Sequence, residues 1–252
     1  MNRSPVIIAV CGKGGVGKTC MSALLTRRLC KDRGKRVLAI DADPAVGLSL
    51  PLGITVHRTV DDIRRDLIAR LSGGETQDRE ALVRSLDYDV FGALEERDNL
   101  AFLAIGRPEG DGCYCQVNAF LRDIIREIAA NFDYVIIDAE AGVEQVSRRV
   151  MEMVTHLLLV TDASLKGRKV AELIYTEGVV KGAIGTSALL FNRVQGQGEA
   201  EALLSGVTLP VAGIVQENSL IRSFDREGWS FFDLPQSEAL SALDDTLTNF
   251  LG

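Results

Sequence analysis

An apolar run, Val6–Val10, leads into Gly12-Lys13-Gly14-Gly15-Val16-Gly17-Lys18-Thr19, and a helical stripe of Met21, Leu24, Leu25 and Leu29 follows. This order of strand, glycine loop and helix constrains the chain more than any other feature. It is the G-x-x-x-x-G-K-[ST] pattern in the context that gives the pattern meaning. Glycines let backbone N–H groups approach phosphate oxygens, and the helix N-terminus adds a favourable dipole. Lys18 is expected at the β- and γ-phosphates of a nucleotide, and the Thr19 hydroxyl in a Mg²⁺ shell. Residues Gly12 to Cys20 form the expected nucleotide-contacting stretch, while the thiols of Cys11, Cys20 and Cys30 read as small apolar groups in packing.

Further short runs rich in Val, Ile and Leu recur at Val37–Ile40, Leu100–Ile105, Tyr134–Ile137, Leu157–Val160, Ala188–Phe191 and Val211–Val215. Near-continuous hydrophobicity over so few residues fits strands covered on both faces, as in a parallel sheet. A second helical stripe, Val117, Phe120, Leu121, Ile124, Ile125 and Ile128, lies between two of them. The alternation predicts a doubly wound, mostly parallel α/β sheet in a single P-loop domain spanning residues 1–252. The polar stretch 51–97 predicts short helices over one edge.

Composition removes several functional classes. The 28 Lys+Arg against 35 Asp+Glu give −7, which argues against a protein that coats nucleic acid, and the arginines are scattered rather than clustered in sequence. Five cysteines are too few, and odd in number, for a disulfide scaffold. Neither a signal peptide nor an apolar run of membrane-spanning length is evident, so a cytoplasmic location is expected. His57 and His156 lack a Cys, Asp or His at ligand spacing and read as structural.

Two carboxylates, Asp41 and Asp43, follow the second strand, and Asp138 ends the run Val135-Ile136-Ile137. Strand carboxyl ends are where α/β ligand sites lie, and Asp138 fits a Mg²⁺ contact made through water. Lys13 makes the phosphate loop K-G-G-x-G-K-T, which resembles the deviant Walker A of the ParA/Min/nitrogenase-iron-protein superfamily, the SIMIBI class of P-loop NTPases. The resemblance implies that Lys13 reaches the phosphates of a partner chain's nucleotide across a homodimer. It also implies that Asp43 orients or deprotonates the attacking water, and that Asn192, with Arg193 beside it, meets an adenine base. The N-K-x-D signature of guanine-specific relatives is missing, which favours ATP. The loop Gln216-Glu217-Asn218 is a further candidate for the base pocket.

Cys113 and Cys115 stand in a glycine-rich loop, Gly110-Asp111-Gly112-Cys113-Tyr114-Cys115, before the second helical stripe. Thiolates bind soft metals, and a helix N-terminus favours the thiolate. One C-x-C supplies two ligands, whereas a two-fold dimer supplies four sulfurs. This loop, with Asn118-Ala119-Phe120-Leu121-Arg122 and Asp138-Ala139-Glu140-Ala141-Gly142, resembles the nickel-insertion ATPases that mature carbon monoxide dehydrogenase, the CooC family. The loop 161–167 is similar to one in that family, and the likeness runs from residue 6 to about 218. It implies an ATP-hydrolysing metallochaperone whose dimerisation is coupled to holding Ni²⁺, with carbon monoxide dehydrogenase or acetyl-CoA synthase as client. Zn²⁺ fits the thiolate pair equally well. Two rivals stay open. An iron–sulfur carrier or reductase lacks its second cysteine position, because no cysteine follows Cys115. A Min- or ParA-like positioning ATPase of the membrane-binding kind carries a basic amphipathic tail, whereas Glu238, Asp244 and Asp245 here oppose Leu240, Leu243, Leu247 and Phe250. Neither a membrane nor a nucleic acid is expected as a partner.

Overall fold

The computed structural model describes residues 4–72, 86–107, 115–139, 154–179, 185–205 and 207–251. Its centre is one eight-stranded sheet ordered β3-β4-β2-β5-β1-β6-β7-β8. The strands are β1 (Val6–Cys11), β2 (Val37–Asp41), β3 (Glu95–Arg97), β4 (Leu100–Ala104), β5 (Tyr134–Asp138), β6 (His156–Thr161), β7 (Thr186–Val194) and β8 (Val211–Gln216). All pairs are parallel except β3 with β4. Each run expected as a strand is one, and the sheet is the doubly wound one those runs predict.

The alternation of β1 shows why the sheet is covered twice. Ile7, Ala9 and Cys11 enter one core, and Ile8 and Val10 enter the other. The first core receives helices α3 (Val60–Ser72), α4 (Cys115–Ala129), α5 (Leu165–Val179) and α6 (Gln197–Leu204) through residues such as Ile63, Ile124, Ile174 and Leu203. In α4, Leu121, Ile124, Ile125 and Ile128 are buried at the i, i+3, i+4, i+7 spacing of a single helical stripe. The second core receives α1 (Lys18–Leu29), the short α2 (Ser49–Leu52), α7 (Ser219–Glu227) and α8 (Glu238–Leu251).

The region 51–97 holds α2, α3 and the edge strand β3, which the sequence reading did not expect. Glu95–Arg97 carries no hydrophobic run, and its strand forms because a two-residue turn, Asp98-Asn99, folds it back on β4. Asp98 has a φ of 53°, a left-handed geometry that tight hairpins require. The connections place the functional crevice. From β1 the chain moves to β2 and β4 on one side; from β5 it crosses β1 to β6 on the other. Ligands of doubly wound sheets sit at the carboxyl ends of strands at such a switch point, and here that point is β1.

Candidate functional site

The glycine loop leaves β1 at the switch point. Gly12 has a φ of 150°, and a Cβ there would sit 2.1 Å from the Val160 carbonyl oxygen on β6. Only glycine allows β1 to hand the chain to the loop so close to its neighbour. Gly17, with a φ of 91°, is the N-cap of α1 and offers no side-chain cap; no acidic residue stands in the first turn. The first-turn N–H groups and the positive end of the helix dipole are therefore open to an anion. In α7, by contrast, Asn218 Oδ1 accepts hydrogen bonds from the N–H groups of Leu220 and Ile221, at 3.0 and 3.1 Å.

The loop is braced from outside. Asn192 Nδ2 donates to Val16 O at 2.8 Å, and the Arg193 guanidinium donates to Gly15 O at 3.0 Å. A trans peptide points its C=O and N–H in opposite directions. Tying down these two carbonyls thus turns the N–H groups of Val16 and Gly17 to the other side of the loop. The buried Asn192 amide also accepts from Arg193 N, at 3.0 Å, so both of its ends are engaged with protein. Asn192 and Arg193 occupy an irregular register between Phe191 and Val194, and Arg193 has a φ of 61°. Such an irregularity lets a strand re-aim its side chains.

Lys18 is buried, and its ammonium donates across the loop to Lys13 O at 3.4 Å. Lys13 is only partly exposed and lies 4.0 Å from Asp162 Oδ2. The carboxylates lie beneath. Asp41 and Asp138 are paired in register on β2 and β5, and both are buried. Asp41 accepts from the N–H of Asp43 at 3.0 Å and from that of Leu48 at 2.7 Å, so it pins both ends of the loop that follows β2. Asp43 itself accepts from Ala45 N at 2.8 Å. Burial raises Asp41 to about 7, against the pull of those two N–H groups. Burial likewise raises Asp138 to about 6, partly offset by the hydroxyls of Thr19 and Ser22 and by Lys18. Ser22 Oγ donates to Asp138 Oδ1 at 2.9 Å, while Asp138 Oδ2 is buried without a hydrogen-bond partner among the described residues. A bare carboxylate oxygen beside a threonine hydroxyl is the donor set a hydrated divalent cation fits.

Beside α1 opens a cavity of about 650 Å³, bounded by Cys20 and Met21, by Asn192 and Arg193, by the Gln216–Asn218 segment, and by α7. Acidic Asp162, Glu217 and Asp225 in its wall balance Arg193, Arg222 and Arg226. The sequence-predicted residues Gly12 to Cys20, Asp43, Asp138, Asn192 and Arg193 therefore gather around one carboxyl edge. Sequence reasoning missed Ser22 and Asp162. Ser22 could have been found from its place three residues after Thr19, on the same helix face. Cys11, Cys20 and Cys30 are buried free thiols, each pushed up to about 12 mainly by that burial. Cys113 and residues 140–142 lie outside the described residues. Cys115 opens α4, which follows β4 at the same carboxyl edge of the sheet.

Residues 4–175 match the AAA_31 family, described as an AAA domain. The chain belongs to this family. The AAA-domain protein is 37% identical over 242 residues to an uncharacterised ATP-binding protein of Methanocaldococcus jannaschii, with 92% of each chain covered. It is 29% identical over 238 residues to the carbon monoxide dehydrogenase accessory protein CooC of Rhodospirillum rubrum, covering 90% of this chain and 89% of that one. Among solved structures, the cell division ATPase MinD of Pyrococcus furiosus superposes with a TM-score of 0.70 at 24% identity, covering 100% of this chain and 98% of the other. That likeness shows the shared fold. The family, the phosphate loop and the ATP-binding relative together make the AAA-domain protein an ATPase that uses ATP and Mg²⁺.

Proposed function

We propose that this ATPase is a metallochaperone, in which ATP-dependent pairing of two chains is coupled to holding and releasing Ni²⁺ during maturation of carbon monoxide dehydrogenase or acetyl-CoA synthase. The observation that carries the reading is the C-x-C pair of the sequence, Cys113 and Cys115, whose second member opens α4. Motion of the nucleotide edge and motion of the cysteine loop would then belong to one interface. Similarity to CooC over nine-tenths of the chain supports the same client class. Zn²⁺ would be held by the same sulfurs.

In this reading the uncapped N-terminus of α1, the N–H groups of Gly14 to Gly17, Lys18 and Thr19 bind the phosphates. Thr19 and Asp138 Oδ2 hold the hydrated Mg²⁺, which supplies charge neutralisation at the phosphates. Asp43 positions the attacking water, and Lys13 leaves Asp162 to reach the partner chain's nucleotide. Cys20, Asn192 and Arg193 bound the pocket for the base. The Asn192 amide spends one N–H on Val16 O and one lone pair on Arg193 N, which leaves it a second N–H and a second lone pair for the adenine edge while it braces the loop.

A positioning ATPase of the MinD type is the second reading, favoured by the fold match. Against its membrane-binding form stands α8, whose Leu240, Leu243, Leu247 and Phe250 are packed into the second core rather than offered to lipid. Among the described residues no helix is long and apolar enough to cross a membrane.

The test is metal analysis and size-exclusion chromatography of anaerobically purified protein, with and without ATP. The expected result is one Ni²⁺ or Zn²⁺ per two chains, lost in the double variant Cys113→Ser, Cys115→Ser, with nucleotide affinity preserved. Metal content unchanged in that variant sinks the reading. A visible absorbance band in place of Ni²⁺ or Zn²⁺ would assign the cysteines to an iron–sulfur cluster instead.

A further inference from the structure

At the far end of α1 from the phosphate loop, a second cavity of about 320 Å³ opens between the helix's last turn and the β3–β4 hairpin. Arg27 and Lys18 are nine residues apart on α1, roughly 14 Å along the axis, so the two sites are separate. Four cations reach this cavity from two distant parts of the sequence: Arg27, Lys31 and Arg33 from α1 and its exit, and Arg97 from the end of β3. Two of them are matched, Lys31 with the buried Asp244 and Arg33 with Asp98 at 3.1 Å. The other two meet only neutral groups among the described residues. Arg27 donates one nitrogen to Leu234 O at 3.2 Å. Arg97 donates to Leu52 O at 3.3 Å and lies over the Phe232 ring at 4.9 Å.

Arg27 is the unusual member. It is 7% exposed, and its second terminal nitrogen, NH1, is buried without a hydrogen-bond partner among the described residues. A buried guanidinium normally spends its fork on a carboxylate or a phosphate, because an unmatched charged donor is costly to keep from water. Here the fork is half spent, Arg27 lines a cavity that carries two unmatched positive charges, and NH1, closed to solvent, meets an anion there once the side chain turns toward it. A phosphate group near neutral pH carries a charge close to −2 and offers several acceptor oxygens.

We propose that this cavity is a second anion site that binds a phosphate group, with Arg27 as its buried anchor and Arg97 as the second unmatched cation. The ligand is either free inorganic phosphate or the phosphate of a small phosphomonoester, whose carbon stem would lie against Leu100 and Phe232.

The test is isothermal titration calorimetry on the full chain with Mg²⁺ and a non-hydrolysable ATP analogue saturating the phosphate loop, so that its own phosphate positions are filled. Inorganic phosphate is titrated in one arm and glycerol 3-phosphate in the other. The expected result is one saturable site per chain, weakened at least tenfold in Arg27→Met and also weakened in Arg97→Met. Asp98→Asn, which removes a negative charge from the rim, should bind as tightly as wild type or tighter. Tighter glycerol phosphate would assign an ester as the ligand, and equal affinities would assign the phosphate group alone. Retained affinity for the ATP analogue certifies that each variant is folded; should Arg27→Met fail that check, Arg97→Met and Asp98→Asn carry the test. Absence of a saturable site in wild type overturns the proposal. So does phosphate affinity that is the same in wild type and in the arginine variants.

Discussion

Gly12 and Gly14 are two residues apart in one loop, and the physics of their replacement differs. At Gly12 an added methyl would meet the Val160 carbonyl at 2.1 Å, and the φ of 150° is one that side-chain-bearing residues rarely adopt. Overpacking against a central strand and the backbone strain each cost on the order of 1–3 kcal/mol. At Gly14 nothing lies within 4 Å of the added atom, and its φ is unremarkable for any residue. Gly12→Ala should therefore lose about 2–4 kcal/mol of stability, read as a lower urea midpoint at constant m-value. Gly14→Ala should stay within about 1 kcal/mol of wild type. Equal losses in the two variants would mean that the loop yields around Gly12, and that β6 does not set its geometry. Ser22 works through a different link at the same scale. Its hydroxyl holds one Asp138 oxygen so that the other stays bare. A position that looks like one more small residue in a helix thereby fixes the aim of a carboxylate.

At the scale of elements, α8 shows how a pattern is decided by what covers it. Its apolar stripe has the spacing of a lipid-binding helix, yet Leu247 is fully buried in the core shared with α1. The Lys31–Asp244 ion pair ties the two helices together at their polar flank. Leu247→Ala should cost about 2–4 kcal/mol, as other buried leucine truncations do, and should leave co-sedimentation with anionic vesicles at background. Intact stability together with vesicle binding in wild type would mean that the helix detaches. The same logic explains what the sequence disclosed. Seven strands were legible because burial on both faces forces runs of aliphatic residues. At their carboxyl ends the runs give way to the buried polar residues Asp41, Asp138 and Thr161; the two carboxylates were legible there as site residues, and Thr161 was not. Hydrophobic patterning stops where the site begins. β7 runs on through Asn192 and Arg193 for a related reason: a register irregularity carries them to the phosphate loop. β3 escaped because Glu95-Glu96-Arg97 pairs on one side only, and the signal that could have found it is the Asp98-Asn99 turn. The basic cavity was invisible since its cations, scattered along the sequence, converge only when the hairpin meets the end of α1.

Over the whole molecule these buried charges compete, and pH is the variable that reads the balance. Asp41 at about 7 and Asp138 at about 6 are raised above the 3.8 of an unfolded chain. Between pH 4 and 7 the folded state therefore holds protons that the unfolded state has released, and linkage makes stability fall as pH rises through that window. His156, lowered by its burial, works the other way: it is neutral when folded and takes up a proton on unfolding. Asp62, Asp133 and Asp162 are lowered by hydrogen bonds and nearby cations, despite some burial. Their stabilisation is complete above pH 4 and is lost only in stronger acid. Two raised carboxylates against one histidine give a net direction. The thermal midpoint of the nucleotide-free protein should rise as pH is lowered from 8 to about 5.5, then fall below pH 4. Asp41→Asn, which cannot ionise, should flatten the first limb. Mg²⁺ and ATP should weaken that dependence, because a cation held by Asp138 favours its ionised form and expels the proton, while Asp41 keeps its own. Calorimetric titration of Mg·ATP at pH 6 in buffers of different ionisation enthalpy reads this proton directly. A binding heat independent of the buffer would show that Asp138 is already ionised before the cation arrives.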